Sequence, residues 1–102
     1  MFIYALATQS DLEAKRLKIG ESELMEGVEE RRKEFDKTFE VLYIRAIWDI
    51  GECNYGADKI VHKVLSGKSL RGGNYEWFCD VTIEDVDRIV RKLFGNKVVR
   101  TK

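Results

Sequence analysis

The chain has 102 residues, 44% hydrophobic and 35% charged, and its 18 basic and 18 acidic side chains balance to a formal net charge of zero. That length suits one domain, the apolar content excludes disorder, and no apolar run is long enough to span a bilayer. Neutrality also argues against avid binding of nucleic acid through bulk charge, which depends on phosphate neutralisation by Lys and Arg.

Phe2 to Ala7 is apolar on both faces and reads as a buried strand. It lacks a basic leader and is too short for a secretory signal, so the protein is expected to be cytoplasmic. A polar turn region, residues 8–13, and a short strand near residues 16–20 follow, together suggesting a hairpin. Ser22 is placed to cap a helix whose Leu24, Met25, Val28 and Phe35 fall on one face. Residues 39–48 read as the longest strand, apolar on both faces as a central strand should be.

A turn over residues 49–54 contains Gly51, and a second helix over residues 55–65 is expected to bury Ala57, Ile60, Val61 and Val64. Residues 66–74, with three glycines, form a loop, and residues 75–79 a short strand. Thr82 then has the pattern of an N-cap, with Asp85 three residues on and Val81 able to staple to Val86. Val86, Ile89, Val90 and Leu93 make an amphipathic helix closed by Gly95. The order strand, strand, helix, strand, helix, strand, helix predicts an α+β fold, a small and mainly antiparallel sheet flanked by helices. One domain is expected over residues 1–95, with a basic tail over residues 96–102.

Cys53 and Cys79 are too few and too far apart for a thiolate zinc site and are expected to be reduced. Charge is unevenly distributed. Residues 1–36 hold nine acids and six bases, whereas the six ionisable residues after Asp87, Arg91 and Lys92 among them, are all basic. They suit either a face that tracks a phosphate backbone or the cations usual near a helix C-terminus.

The short motifs Phe2-Ile3-Tyr4, Lys18-Ile19-Gly20, Glu30-Arg31, His62 and Glu76-Trp77-Phe78 occur in an order that resembles the GIY-YIG nuclease superfamily. The likeness is greatest to its compact bacteriophage-type branch, with K-I-G as second motif and glutamate in E-W-F. It runs from about Phe2 to Leu93. The resemblance implies a DNA endonuclease dependent on Mg²⁺ or Mn²⁺, with Tyr4, Lys18, Arg31, His62 and Glu76 catalytic and Glu76 the metal ligand. Tyr4 would contact or deprotonate the attacking water. Lys18, where many relatives have a second tyrosine, would lower the pKa of Tyr4 across the strand pair. Arg31 would clamp phosphate with its planar fork of donors. Helical periodicity serves Arg32 equally well, and only the register of the resemblance favours Arg31. His62, on the flank of its helix, would assist proton transfer or bond the phosphate.

Glu76 is the one carboxylate in an aromatic strand, so its charge needs a reason, whether metal binding or protection of a sheet edge. Glu76→Ala is expected to abolish cleavage and leave the fold intact. Two departures stand out. Phe2 replaces the glycine of the first motif, and no asparagine follows the glutamate until Asn96. Arg71 and Asn74, beside Glu76 in the glycine-rich loop, are the nearest candidates to replace it, and Arg32, Arg71, Asn74, Arg91 and Lys92 are the candidate DNA contacts. Without a targeting module, specificity would fall to a homodimer or a protein partner. The alternative is a catalytically weak or inactive domain of this fold that binds nucleic acid or protein as a phage-type regulator.

Overall fold

The computed structural model describes residues 1–35, 40–51, 55–70 and 76–102, without the side chains of Phe35 and Asn96. Five antiparallel strands, β1 (Phe2–Ala7), β2 (Leu17–Ser22), β3 (Tyr43–Asp49), β4 (Trp77–Phe78) and β5 (Val99–Arg100), form one sheet in the order β4-β2-β1-β3-β5. Around it lie α1 (Gln9–Glu13), α2 (Met25–Phe35), α3 (Ala57–Val64) and α4 (Ile83–Phe94). The fold is α+β, a small antiparallel sheet flanked by helices. Among the described residues no helix is long and apolar enough to cross a membrane.

The sheet buries both faces because β1 is apolar at odd and even positions alike. Ile3, Ala5 and Ala7 turn to the face covered by α3 and α4, joining Ile19, Trp48, Val61, Val86 and Val90. Tyr4 and Leu6 turn to the opposite face, against Val28 of α2, Leu42 and Ile47. Trp48 is fully buried, and its indole N–H donates to Asp87 Oδ1 at 2.8 Å, satisfying the one polar atom that burial would otherwise strand.

The capping box at Thr82 and Asp85 forms as the sequence predicts, and Gly95 closes α4 with φ +80°. The same chemistry starts α1: Thr8 accepts from the Asp11 backbone while Asp11 bonds the Thr8 N–H, so the expected turn is a short helix between β1 and β2. Ser22 belongs to β2, and its hydroxyl donates to the Leu24 carbonyl. The expected apolar face of α2 is also revised, since Leu24 and Met25 are exposed and Val28 alone of the described set is buried.

The stripe of α3 is turned from the expected one. Ala57, Val61 and Leu65 face the core with Asp58 also buried, while Ile60 and Val64 are exposed. β3 starts at Tyr43 rather than at residue 39, and β4 is shorter than expected, leaving Glu76 in the turn before it. Residues 96–102 do more than form a tail, since Val99 and Arg100 pair with β3.

Candidate active site

The polar residues singled out by sequence converge on the outer edge of β2 around residues 18–20. Tyr4 pairs with Gly20 across the β1–β2 ladder, and Leu6 with Lys18. Because side chains directly opposite in a ladder share a face, Tyr4, Leu6 and Lys18 all lie on the α2 side. The Tyr4 ring rests on Gly20. A Cβ there would stand 2.5 Å from Tyr4 Cζ and closer still to the hydroxyl, so glycine is required for close approach.

Lys18 is fully buried, and its ammonium donates to Glu76 Oε2 at 2.6 Å, with Trp77 about its cationic end at 6.0 Å. Glu76 reaches it because β4 pairs with β2 through Leu17–Phe78 and Lys18–Trp77, while the Glu76 carbonyl accepts from the Ile19 N–H at 2.9 Å. The Glu76 side chain is 36% exposed against 0% for Lys18, so the pair joins an interior charge to a solvent-facing one. For that reason Glu76 also serves the fold, and the expectation that its removal leaves the fold intact is revised.

His62 projects from α3 onto the same edge. Its Nε2 lies 2.7 Å from the Ile19 carbonyl oxygen, and its ring is 5.1 Å from that of Phe78. A carbonyl can only accept, so Nε2 carries the hydrogen and Nδ1 holds the lone pair of the neutral ring. Ile19 therefore anchors the strand edge twice, to Glu76 through N–H and to His62 through C=O.

Arg31 lies on α2, exposed, with a weak contact to Glu34 at 3.5 Å. It lines a cavity of about 470 Å³ with Glu21, Glu30, Glu34 and Tyr55. Arg32 is held elsewhere, donating to Glu29 at 2.8 Å and to the Leu42 carbonyl at 3.2 Å. The register ambiguity between the two arginines is thus resolved in space, with Arg31 alone of the pair on the cavity. His62 lines a separate hollow of about 360 Å³ with Lys59, Lys63 and Phe78.

Burial, and after it the charge of Glu76, pushes the Tyr4 phenol up to about 12, with Arg31 acting in the opposite sense. Lys18 does not produce the expected depression. Its ammonium is committed to Glu76, and desolvation of the ring dominates. A phenol held that high keeps its proton at neutral pH.

The other candidates stand apart. Arg91 is bound to Asp87 at 3.0 Å and to the Val98 carbonyl at 3.3 Å, where it ties α4 to the C-terminal segment, and Lys92 is exposed on the same helix. Arg71, Asn74 and Cys53 lie outside the described residues, and Cys79 is a free thiol. Among the described residues no group of three or more His, Cys, Asp and Glu side chains could hold a metal ion.

Sequence reasoning missed Glu21 and Asp58. Glu21 Oε1 accepts from the Gly56 N–H at 2.9 Å, and its carboxyl bonds both the backbone and the side chain of Asp58. Neither residue carries a motif. The signal that existed was an acid following Gly20 at a strand end and an acid in the first turn of α3.

A compact α+β domain with a buried lysine–glutamate pair, a histidine and a tyrosine gathered on one sheet edge fits a nuclease-like class. A family model described as the T5orf172 domain matches residues 1–94, and the chain belongs to that family, a phage-associated domain of endonuclease-like context. No curated protein and no solved structure matches the chain.

Proposed function

We propose that the chain is a divalent-metal-dependent DNA endonuclease of the GIY-YIG type, working in the cytoplasm and hydrolysing phosphodiesters at one site on the outer edge of β2. The observation that carries this reading is the junction at Ile19: Glu76 and His62 are anchored to its two backbone groups, with Lys18 and the Tyr4–Gly20 contact on either side.

In this reading Arg31 binds phosphate from the solvent side. Tyr4, with its proton retained, donates a hydrogen bond to the attacking water or a phosphate oxygen. His62 offers Nδ1 to the leaving side of the reaction, its ring held by Ile19. Glu76 would hold Mg²⁺ or Mn²⁺. Its side chain reaches solvent from the turn before β4, and one carboxylate with water and phosphate oxygens is a donor set that Mg²⁺ accepts. The ion would contribute positive charge against the phosphate. Because Lys18 already balances the Glu76 charge, the ion is expected to bind with DNA rather than before it. A single site makes one cut at a time, and specificity would come from a homodimer or a protein partner.

One observation favours a second reading, a catalytically weak domain that binds a partner. The cavity beside Arg31 carries Glu21, Glu23, Glu30 and Glu34, which oppose the approach of phosphate. Incubation of supercoiled plasmid with Mg²⁺ or Mn²⁺, with EDTA and Glu76→Gln as controls, separates the two. Metal-dependent nicking lost in both controls supports the endonuclease, whereas intact plasmid across single-stranded and branched substrates as well supports the binding domain.

A further inference from the structure

Hydrolysis by the proposed route needs a group that takes the proton of the attacking water. Tyr4 keeps its own, Lys18 and Glu76 engage each other, and His62 has committed one ring nitrogen to Ile19. One cluster near the site has no part in the chemistry so far. Glu21 stands on β2 two residues beyond Ile19 and lines the same cavity as Arg31. Its carboxyl accepts from the backbone N–H groups of Gly56 and Asp58, closing the N-terminus of α3, and meets the Asp58 side chain within hydrogen-bond reach. Asp58 is 7% exposed, and its Oδ1 is buried without a hydrogen-bond partner.

Two carboxyl groups in hydrogen-bond contact cannot both carry charge without repulsion, so one proton is held between them. We propose that Glu21 and Asp58 form a proton-sharing pair in which Glu21, the half that reaches the cavity, accepts the proton of the attacking water. This rests on the endonuclease reading. The water oxygen forms the new bond to phosphorus as its proton passes to Glu21, and the scissile P–O bond breaks with its electrons on the leaving oxygen, which takes a proton from solvent water. Asp58 is a positioning residue acting through Glu21.

The Glu21 carboxyl is pushed up to about 7, first by burial and then by the hydrogen bond and charge of Asp58, against the pull of the Gly56 and Asp58 N–H groups. A base matched to neutral pH is the efficient one. The groups facing it are Glu30, Arg31 and Glu34 from α2, Glu23 from the link before α2, Tyr55 before α3, and the Met1 amine, which donates to the Gly51 carbonyl at 3.0 Å. Asp58 also bears on the Tyr4 phenol, which places the pair's charge within reach of the proposed reaction centre.

The bland role for Glu21 is a cap on α3, and the test must separate the two. Glu21→Gln keeps an oxygen that can accept from Gly56 but cannot take a proton at neutral pH. In the full chain, single-turnover plasmid nicking is followed from pH 5 to 9 for wild type, Glu21→Gln and Asp58→Asn, together with carbon-13 NMR titration of the Glu21 carboxyl. The expected result is a wild-type acidic limb near pH 7, a loss of about 100-fold in Glu21→Gln, and a limb moved down by about one pH unit or more in Asp58→Asn. The Glu21 carboxyl is expected to titrate near 7 in wild type and lower in Asp58→Asn. Nicking by Glu21→Gln with the wild-type profile would overturn the pair and leave the endonuclease standing, as would a Glu21 carboxyl titrating in the ordinary range. Absence of nicking in wild type would overturn the endonuclease and the base assignment with it, while the NMR titration would still report whether the proton is shared.

Discussion

Replacing Glu76 by alanine removes the carboxylate 2.6 Å from an ammonium that has no solvent exposure of its own. Breaking a fully buried ion pair costs about 3–5 kcal/mol, because the remaining charge loses its compensation in the interior. Here Glu76 is 36% exposed and water can approach as the side chain leaves, so the expected cost is lower, about 2–4 kcal/mol. For a domain of this size that lowers the melting temperature by roughly 10–25 °C. Lys18→Met puts a similar volume into the same space and leaves only the exposed partner uncompensated, so it should cost less than about 1.5 kcal/mol. The double variant Lys18→Met/Glu76→Gln removes both charges and should be nearly as stable as Lys18→Met alone. Urea unfolding of wild type, both single variants and the double variant gives the coupling energy directly. A coupling below about 0.5 kcal/mol would refute the view that the pair is a structural unit. The consequence for function is practical: loss of cleavage in Glu76→Ala is interpretable only beside a stability measurement.

Three other outcomes follow from the geometry. Gly20→Ala should force the Tyr4 ring from its seat and cost about 1–3 kcal/mol, largely relieved in a Tyr4→Ala background; equal cost in both backgrounds, measured by denaturant unfolding, would contradict the contact. Because the folded-state pKa of Glu21 is raised from 4.5 to about 7, the folded protein holds that proton more tightly than the unfolded chain, so the group's contribution is greatest at low pH and declines from about pH 4.5 through 7. Discounted for solvent screening, the stability of wild type relative to Glu21→Gln should fall by about 1 kcal/mol between pH 5 and 8, and a difference independent of pH would contradict the raised value. Thr82→Ala should cost about 1 kcal/mol by thermal unfolding, and a loss below 0.3 kcal/mol would show the capping box to be idle.

What the sequence made legible was local. The capping box at Thr82, the two-faced apolar pattern of β1 and the stripe of α4 needed only near neighbours to be read. The same Thr-x-x-Asp motif at Thr8 lay between two strand patterns and was read as a turn, since a five-residue helix leaves no periodicity. Val99 and Arg100 form a strand of two residues whose partner is β3, and composition alone marked them as a basic tail.

The face of α3 was misread because the helix buries Asp58 in place of Ile60, a choice made by the carboxyl contact with Glu21. In the site, the motifs identified Tyr4, Lys18, His62 and Glu76, but not who pairs with whom. Lys18 was assigned to Tyr4 when its partner is Glu76, because strand register alone cannot say that β4 returns to the edge of β2. Gly20 was legible as a motif letter, and its reason, the ring lying across it, is a tertiary contact. Glu21 and Asp58 were invisible for the same cause, being two unremarkable acids until α3 crosses the end of β2.

The most direct test of the central claim is single-turnover nicking of supercoiled plasmid by wild type and by Arg31→Ala in Mg²⁺. Arg31 is exposed and only weakly paired, so its removal should leave the melting temperature within about 2 °C of wild type. The expected result is metal-dependent nicking by wild type that EDTA stops, and a loss of about 100-fold or more in Arg31→Ala with the fold unchanged. Nicking by Arg31→Ala at the wild-type rate, or none by wild type, would contradict the claim that the edge of β2 is a phosphodiesterase site.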